Sequence, residues 1–151
     1  MFDARPRPSG ATAFFTVSLA ERGQSVLTDH FDLLTASVAL TRRVKPFYAD
    51  AWVVMPDHLH CVLTLPEGDT DFAGRWRTIR RRFTRRLPRG AVPGPVWRHQ
   101  VLEHPITDMS EYVDCVRACW FDPVRHALVK RPEDWCFSSI HGEVAVDRSV
   151  A

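Results

Sequence analysis

Hydrophobic and polar positions change their period several times along the chain, and each change marks an element. Residues 13–19 (AFFTVSL) are dense in aromatic and β-branched side chains and predict a first strand. After a Thr28/Asp29 start signal, Phe31, Leu34, Val38 and Thr41 recur at steps of three and four, which predicts a helix over 28–44 that Pro46 ends. Residues 47–55 (FYADAWVVM) and 59–65 (LHCVLTL) predict two strands separated by the short turn Pro56-Asp57-His58, and therefore an antiparallel hairpin. A helix over 71–87 follows, with Phe72, Trp76, Ile79, Phe83 and Leu87 on one stripe. The Pro/Gly-rich stretch 88–95 breaks it, and 101–106 predicts a fourth strand. Asp108 then caps a helix from 109 to about 121, expected to be interrupted at Asp122-Pro123 and to resume through 129. The order β-α-β-β-α-β-α contains no repeat. It predicts an α+β fold: a ferredoxin-like sandwich with an antiparallel sheet and one additional helix.

With 151 residues, 45% hydrophobic and 11% aromatic, the chain has the apolar content of a packed core and not of a disordered segment. The expectation is a single domain over 1–151 with its core at about 13–141. No run approaches the roughly 18 apolar residues of a membrane span, and no apolar stretch resembling a signal peptide follows Asp3, Arg5 and Arg7, so a cytoplasmic location is expected. The four cysteines form no C-x-x-C pair and are expected to be buried free thiols.

Charge changes the picture more. Between positions 72 and 90 stand Arg75, Arg77, Arg80, Arg81, Arg82, Arg85, Arg86 and Arg89 with no Asp or Glu, a window of +8 in a chain of net +2, which leaves −6 elsewhere. Arginine clamps phosphate oxygens bidentately, so a polyanion is the natural partner of that helix. Trp97 is a candidate for stacking on unpaired bases. Trp76 and Phe83 fit the apolar stripe and are expected in the core.

The sharpest local pattern is Met55-Pro56-Asp57-His58-Leu59-His60. On a strand, His58 and His60 project from one face while Leu59 points into the core, so two imidazoles can share a divalent metal. His-x-His is a weak pattern, and from spacing alone the simpler reading is one histidine that satisfies a turn carbonyl and one that is incidental.

Taken with Leu65-Pro66-Glu67-Gly68-Asp69, Glu103-His104 and Asp122-Pro123-Val124-Arg125-His126, the chain resembles the single-tyrosine HUH transposases of bacterial insertion sequences, above all the branch associated with repetitive extragenic palindromes (REP). The resemblance runs in order from about Ala13 to His141. It implies that His58 and His60 bind Mg²⁺ or Mn²⁺, that the metal polarises a phosphodiester of single-stranded or hairpin DNA, and that a helix tyrosine attacks phosphorus to leave a 5′-phosphotyrosine and a free 3′ hydroxyl. It further implies a third metal ligand at Asp122, four positions beyond the nucleophile, and a possible homodimer.

Here the chain departs from its relatives. That branch usually reads Tyr-x-x-x-Asn-Pro-Val-Lys-His-Gly, and the corresponding segment is Ala118-Cys119-Trp120-Phe121-Asp122-Pro123-Val124-Arg125-His126-Ala127, which places Ala118 at the nucleophile position. Only Tyr48 and Tyr112 exist as substitutes. Tyr112 stands six residues before Ala118, about 240° around a helix, and so faces away from Ala118 and Asp122. Asp122 keeps an oxygen donor and adds charge, Arg125 keeps the charge of the lysine it replaces and is counted with the arginines above as a DNA contact, and an alanine at 127 strains a helix end. The expectation is a DNA-binding protein impaired in cleavage and transesterification. The alternatives are an active nuclease using Tyr112 or water, and a remnant without specific DNA binding.

Overall fold

In the computed structural model, which describes residues 10–142, four antiparallel strands lie in the order β2-β3-β1-β4. They are β1 (Thr12–Ser18), β2 (Tyr48–Val54), β3 (His58–Thr64) and β4 (Leu102–Pro105). The helices are α1 (Val26–Asp29), α2 (Phe31–Val44), α3 (Phe72–Arg86) and α4 (Met109–Arg125), and two short 3₁₀ turns at Pro132–Asp134 and Ser139–His141 follow. This is the expected ferredoxin-like α+β architecture with one added helix.

The central pair is β1 with β3, in register from Thr12↔Thr64 to Ser18↔His58. Strand alternation divides their side chains between two cores. Phe15, Val17, Leu59, Cys61 and Leu63 face α2 and α3 and meet Leu34, Phe72, Trp76, Ile79 and Phe83. On the other face, Ala51, Val53 and Val62 meet Val116 and Cys119 of α4, so the added helix covers a sheet face that would otherwise be bare. Trp76 and Phe83 are core residues, as their stripe predicts. Among the described residues no helix is long and apolar enough to cross a membrane.

Several expectations are corrected. The first helix is divided at His30 (φ −116°, ψ 37°), and the supposed start at Thr28/Asp29 falls inside a leading turn whose Ser25 hydroxyl donates to Asp29 at 2.7 Å. His58 belongs to the strand, because its carbonyl closes the hairpin by accepting from Met55 N–H at 2.8 Å. Pro123 does not interrupt α4. The helix runs through this buried residue, the third from its end, and stops at Arg125 without resuming to 129; the proline nitrogen has no hydrogen to give to the carbonyl four residues earlier. Cys61 and Cys119 are buried free thiols, but Cys136 is exposed and Cys115 half-buried.

Arg75 is the most consequential correction. It is 3% exposed and fully engaged: its guanidinium donates to Asp69 Oδ2 and to the Pro46 carbonyl, each at 2.8 Å, and to the Lys45 carbonyl at 3.2 Å. The hydrogen bond from Arg75 holds the Asp69 carboxyl at about 2. This arginine fastens the first turn of α3 to the segment after α2 and is withdrawn from the solvent-facing set.

The end of α4 carries backbone strain. Ala127 has φ +58°, the left-handed conformation that follows helix ends and that glycine normally supplies. Replacing Ala127 by glycine relieves a Cβ clash while adding unfolded-state entropy, and a net stabilisation of about 0.5–1 kcal/mol is expected in denaturant unfolding. An unchanged or lowered midpoint contradicts that strain.

Candidate functional site

His58 and His60 project from β3 towards α4, and α4 lowers Asp122 onto them. Asp122 Oδ2 lies 2.8 Å from His58 Nε2 and 3.3 Å from His60 Nε2. Its Oδ1 accepts from Arg125 Nη2 at 3.2 Å and lies 3.5 Å from His126 Nε2. His58, Asp122 and His126 present ligand atoms within 4.8 Å of one another. Imidazole nitrogens with a carboxylate oxygen form a donor set that suits a divalent cation.

The outer nitrogens of both strand histidines are held. Asp57 Oδ1 lies 2.7 Å from His58 Nδ1, and Asp57 Oδ2 accepts from Arg22 Nε at 2.9 Å and from the Gly23 N–H at 2.8 Å. Thr16, the cross-strand partner of His60, places its hydroxyl 2.9 Å from His60 Nδ1, and Phe14 stacks on that ring with centroids 5.4 Å apart. Both Nε2 atoms are thereby aimed at Asp122. Outer partners of this kind fix ring orientation and raise ligand basicity.

Charge in the cluster is balanced by contact. Burial opposes ionisation of Asp122, but hydrogen bonds from His58 and His60 and their charge outweigh it, and its carboxyl titrates far below the usual range. Asp57 behaves likewise: burial raises it, and the bonds from Arg22, Gly23 and His58 bring it well below. Burial alone would lower His58, yet its bonds to Asp122 and Asp57 raise it above 6.5.

The sequence-predicted residues separate into groups. His58, His60 and Asp122 converge. Arg125 joins them, with Nη2 also donating to the Ala118 carbonyl at 2.7 Å. Ala118 is half-buried on α4, one turn before Asp122. Tyr112 lies elsewhere, its hydroxyl donating to Asp50 Oδ1 at 3.0 Å. His126 went unassigned in the sequence, although its place four residues after Asp122 on one helix was a usable signal. Asp57, Thr16 and Arg22 were also missed, because their roles depend on a turn and on strand pairing.

The arginine helix lies on the opposite face of the sheet. Arg77, Arg81, Arg85, Arg86 and Arg89 are exposed and, among the described residues, meet no acidic group. Arg82 is half-buried, and Arg80 donates to the carbonyls of Arg98 at 2.9 Å and His99 at 3.4 Å.

A REP-associated tyrosine transposase of Escherichia coli strain K12 is 40% identical over 136 residues, which span 90% of this chain and 80% of that protein. The chain belongs to the REP-associated tyrosine transposases. A relative from Haemophilus influenzae given the same family name is 30% identical over 148 residues, 91% of this chain and 84% of its own. Among solved structures, a REP-associated tyrosine transposase bound to a REP hairpin superposes with a TM-score of 0.83 at 38% identity, covering 96% of this chain and 86% of that one. A transposase from Deinococcus radiodurans shares the fold at a TM-score of 0.51 and 17% identity, over 76% of this chain and 96% of that one. No family model matches the chain. The α+β architecture described above is thus that of the HUH transposases, and the His/Asp cluster is the candidate divalent-metal site of this REP-associated tyrosine transposase.

Two outcomes follow from the electrostatics. His58, raised in the folded protein, contributes stability that is fully present below 6.5 and lost as pH rises through its folded value. Asp57 and Asp122, both depressed, contribute stability that is present above 3.8 and lost as pH falls towards their folded values. The thermal midpoint of the metal-free protein therefore falls as pH rises above 6.5, whereas Mn²⁺ affinity, which requires the His58 proton to leave, rises over the same interval in calorimetric titration. Parallel trends in the two measurements refute this assignment. Asp57→Asn should weaken Mn²⁺ binding about 10- to 100-fold, with Thr16→Val acting in the same direction through His60.

Proposed function

We propose that this chain is a hairpin-DNA-binding member of its family that holds Mg²⁺ or Mn²⁺ at His58, His60 and Asp122, with His126 adjoining, and that it lacks the nucleophile for strand cleavage. Residues 1–151 act as one unit with its core at about 13–141; positions 1–9 and 143–151 lie outside the described residues. The observation that carries the reading is at Ala118. It occupies the α4 position one turn before Asp122, on the helix that carries the carboxylate to the histidines, and a methyl group stands where the resemblance requires a phenol. Tyr112 does not answer for it, since its hydroxyl is engaged with Asp50.

A bound divalent cation would supply a Lewis acid that polarises a phosphodiester oxygen. The chain's own contribution is to orient the two imidazoles through Asp57 and Thr16 and to place the Arg125 cation next to Asp122. DNA affinity is assigned to the exposed arginines of α3 and the turn after it, with Arg77, Arg81, Arg85 and Arg86 on the helix and Arg89 beyond its end as direct phosphate contacts. Arg80 and Arg82 belong to the same surface but are partly withdrawn, and Arg125 acts at the metal site. The solved relative on a REP hairpin supports hairpin DNA as the ligand.

The test is direct. Incubation with a labelled hairpin and Mn²⁺, followed by denaturing electrophoresis, should give no covalent adduct with the natural protein or with Tyr112→Phe, and an adduct with Ala118→Tyr. Hairpin affinity should fall steeply with salt, and each of Arg77→Gln, Arg81→Gln and Arg85→Gln should reduce the log-log slope by about one. An adduct that disappears in Tyr112→Phe overturns the empty nucleophile position; salt-insensitive binding overturns the arginine surface.

A further inference from the structure

Between α3 and the segment 96–99 lies an open groove of about 320 Å³, lined by Arg77, Arg81, Arg85, Trp97 and His99 among others. Its size is near the small end of ordinary ligand sites, roughly 300–1,000 Å³, and is commensurate with a single nucleotide. Its rear wall is unusually fixed. The Trp97 indole N–H donates to the Arg80 carbonyl at 3.3 Å and to the Thr84 hydroxyl at 3.1 Å. The ring also packs on the buried Phe83 with centroids 5.5 Å apart. Arg80 in turn ties the Arg98 carbonyl to the helix. The segment is stitched to the end of β1 by Arg98 N–H to the Ser18 carbonyl and Ala20 N–H to the Val96 carbonyl, both 2.9 Å.

The tryptophan's polar edge is thus already satisfied, and what it offers the groove is apolar ring. Three arginines without acidic partners among the described residues stand beside it. A flat apolar surface beside several free guanidinium groups matches the two halves of a nucleotide, base and phosphate. The groove also lies at the same end of the sheet as the metal site, since Ser18 pairs with His58 in β3 and bonds to Arg98 in the groove segment.

We infer that this groove is a pocket for one unpaired nucleotide of single-stranded DNA, with the base against Trp97 and the phosphate among Arg77, Arg81 and Arg85. A strand leaving the histidine face rounds the end of β1 and enters it. The inference rests on the DNA-binding reading above and specifies where unpaired DNA is held.

Three probes separate the two: a blunt hairpin, the same hairpin with a ten-nucleotide unpaired 5′ or 3′ tail, and the tail alone, each measured by fluorescence anisotropy. The natural protein should prefer a tailed hairpin, and Trp97→Ala should lose roughly 5- to 150-fold on tailed DNA while changing blunt-hairpin affinity less than about twofold. Trp97→Phe, which keeps an aromatic face, should recover most of the loss, and Arg81→Gln, which lowers the affinity of every probe through the arginine surface, should cost more on the tailed than on the blunt hairpin. Bromodeoxyuridine walked along the tail should photocrosslink to the peptide containing Trp97 from one position. Equal losses on blunt and tailed hairpins, or crosslinks confined to other peptides, overturn the pocket and leave hairpin binding standing. Trp97-dependent binding of the tail without hairpin binding does the reverse, and binding of none of the probes overturns both.

Discussion

The pairing of β1 with β3 is the constraint on which the rest of the molecule depends. Side chains on paired strands alternate with a period of two, so this register decides which half of each strand enters the α2/α3 core and which faces α4. A slip of one residue would carry His58 and His60 into the apolar layer with Phe72 and Trp76 and bring Leu59 and Cys61 out against Asp122. The register also brings Thr16 opposite His60 and leaves the turn residue Asp57 next to His58. The site's outer support is therefore a by-product of strand pairing, and the large apolar side chains that lock the register also lock the histidines.

The sheet divides the molecule's work. One face carries a buried carboxylate surrounded by imidazoles and Arg125; the other carries a helix of exposed guanidinium groups. The two meet where β1 ends, at Ser18, which contacts β3 on one side and the Trp97 segment on the other. Because each face has its own core, a substitution in the chemistry of one need not disturb the grip of the other.

Much of this was legible in the sequence, for local reasons. Two apolar-rich runs on either side of a short turn predict β2 and β3, and a 3.6-residue stripe predicts α3 with its buried Trp76 and Phe83. The misplaced features depend on information that a linear reading weights wrongly or does not contain. Arg75 reads as one more member of a cationic run, yet it stands three after Phe72 and four before Ile79, inside the apolar stripe, where partners such as Asp69 and the Pro46 carbonyl become necessary. Pro123 reads as a breaker, yet α4 runs through it and ends only two residues later, with the ring buried. The break at His30 has no glycine or proline to announce it. Asp57 and Thr16 acquire their roles only when the turn closes and the strands pair, and His126 only when Asp122 is seen to point inward.

The crowding of cations around Asp122 has a consequence for the meaning of a metal here. In small metal-stapled domains the ligands repel or scatter when the ion is removed, and the fold goes with it. In this protein the carboxylate already has imidazole and guanidinium counter-charges, the rings are already clamped from behind, and two apolar cores stand independently of the cluster. Chelation therefore removes a reagent and not a pillar. A cell poor in divalent ions would still contain this protein folded, with its exposed arginines in place, so that ion supply bears on the state of the cluster and not on whether the protein persists.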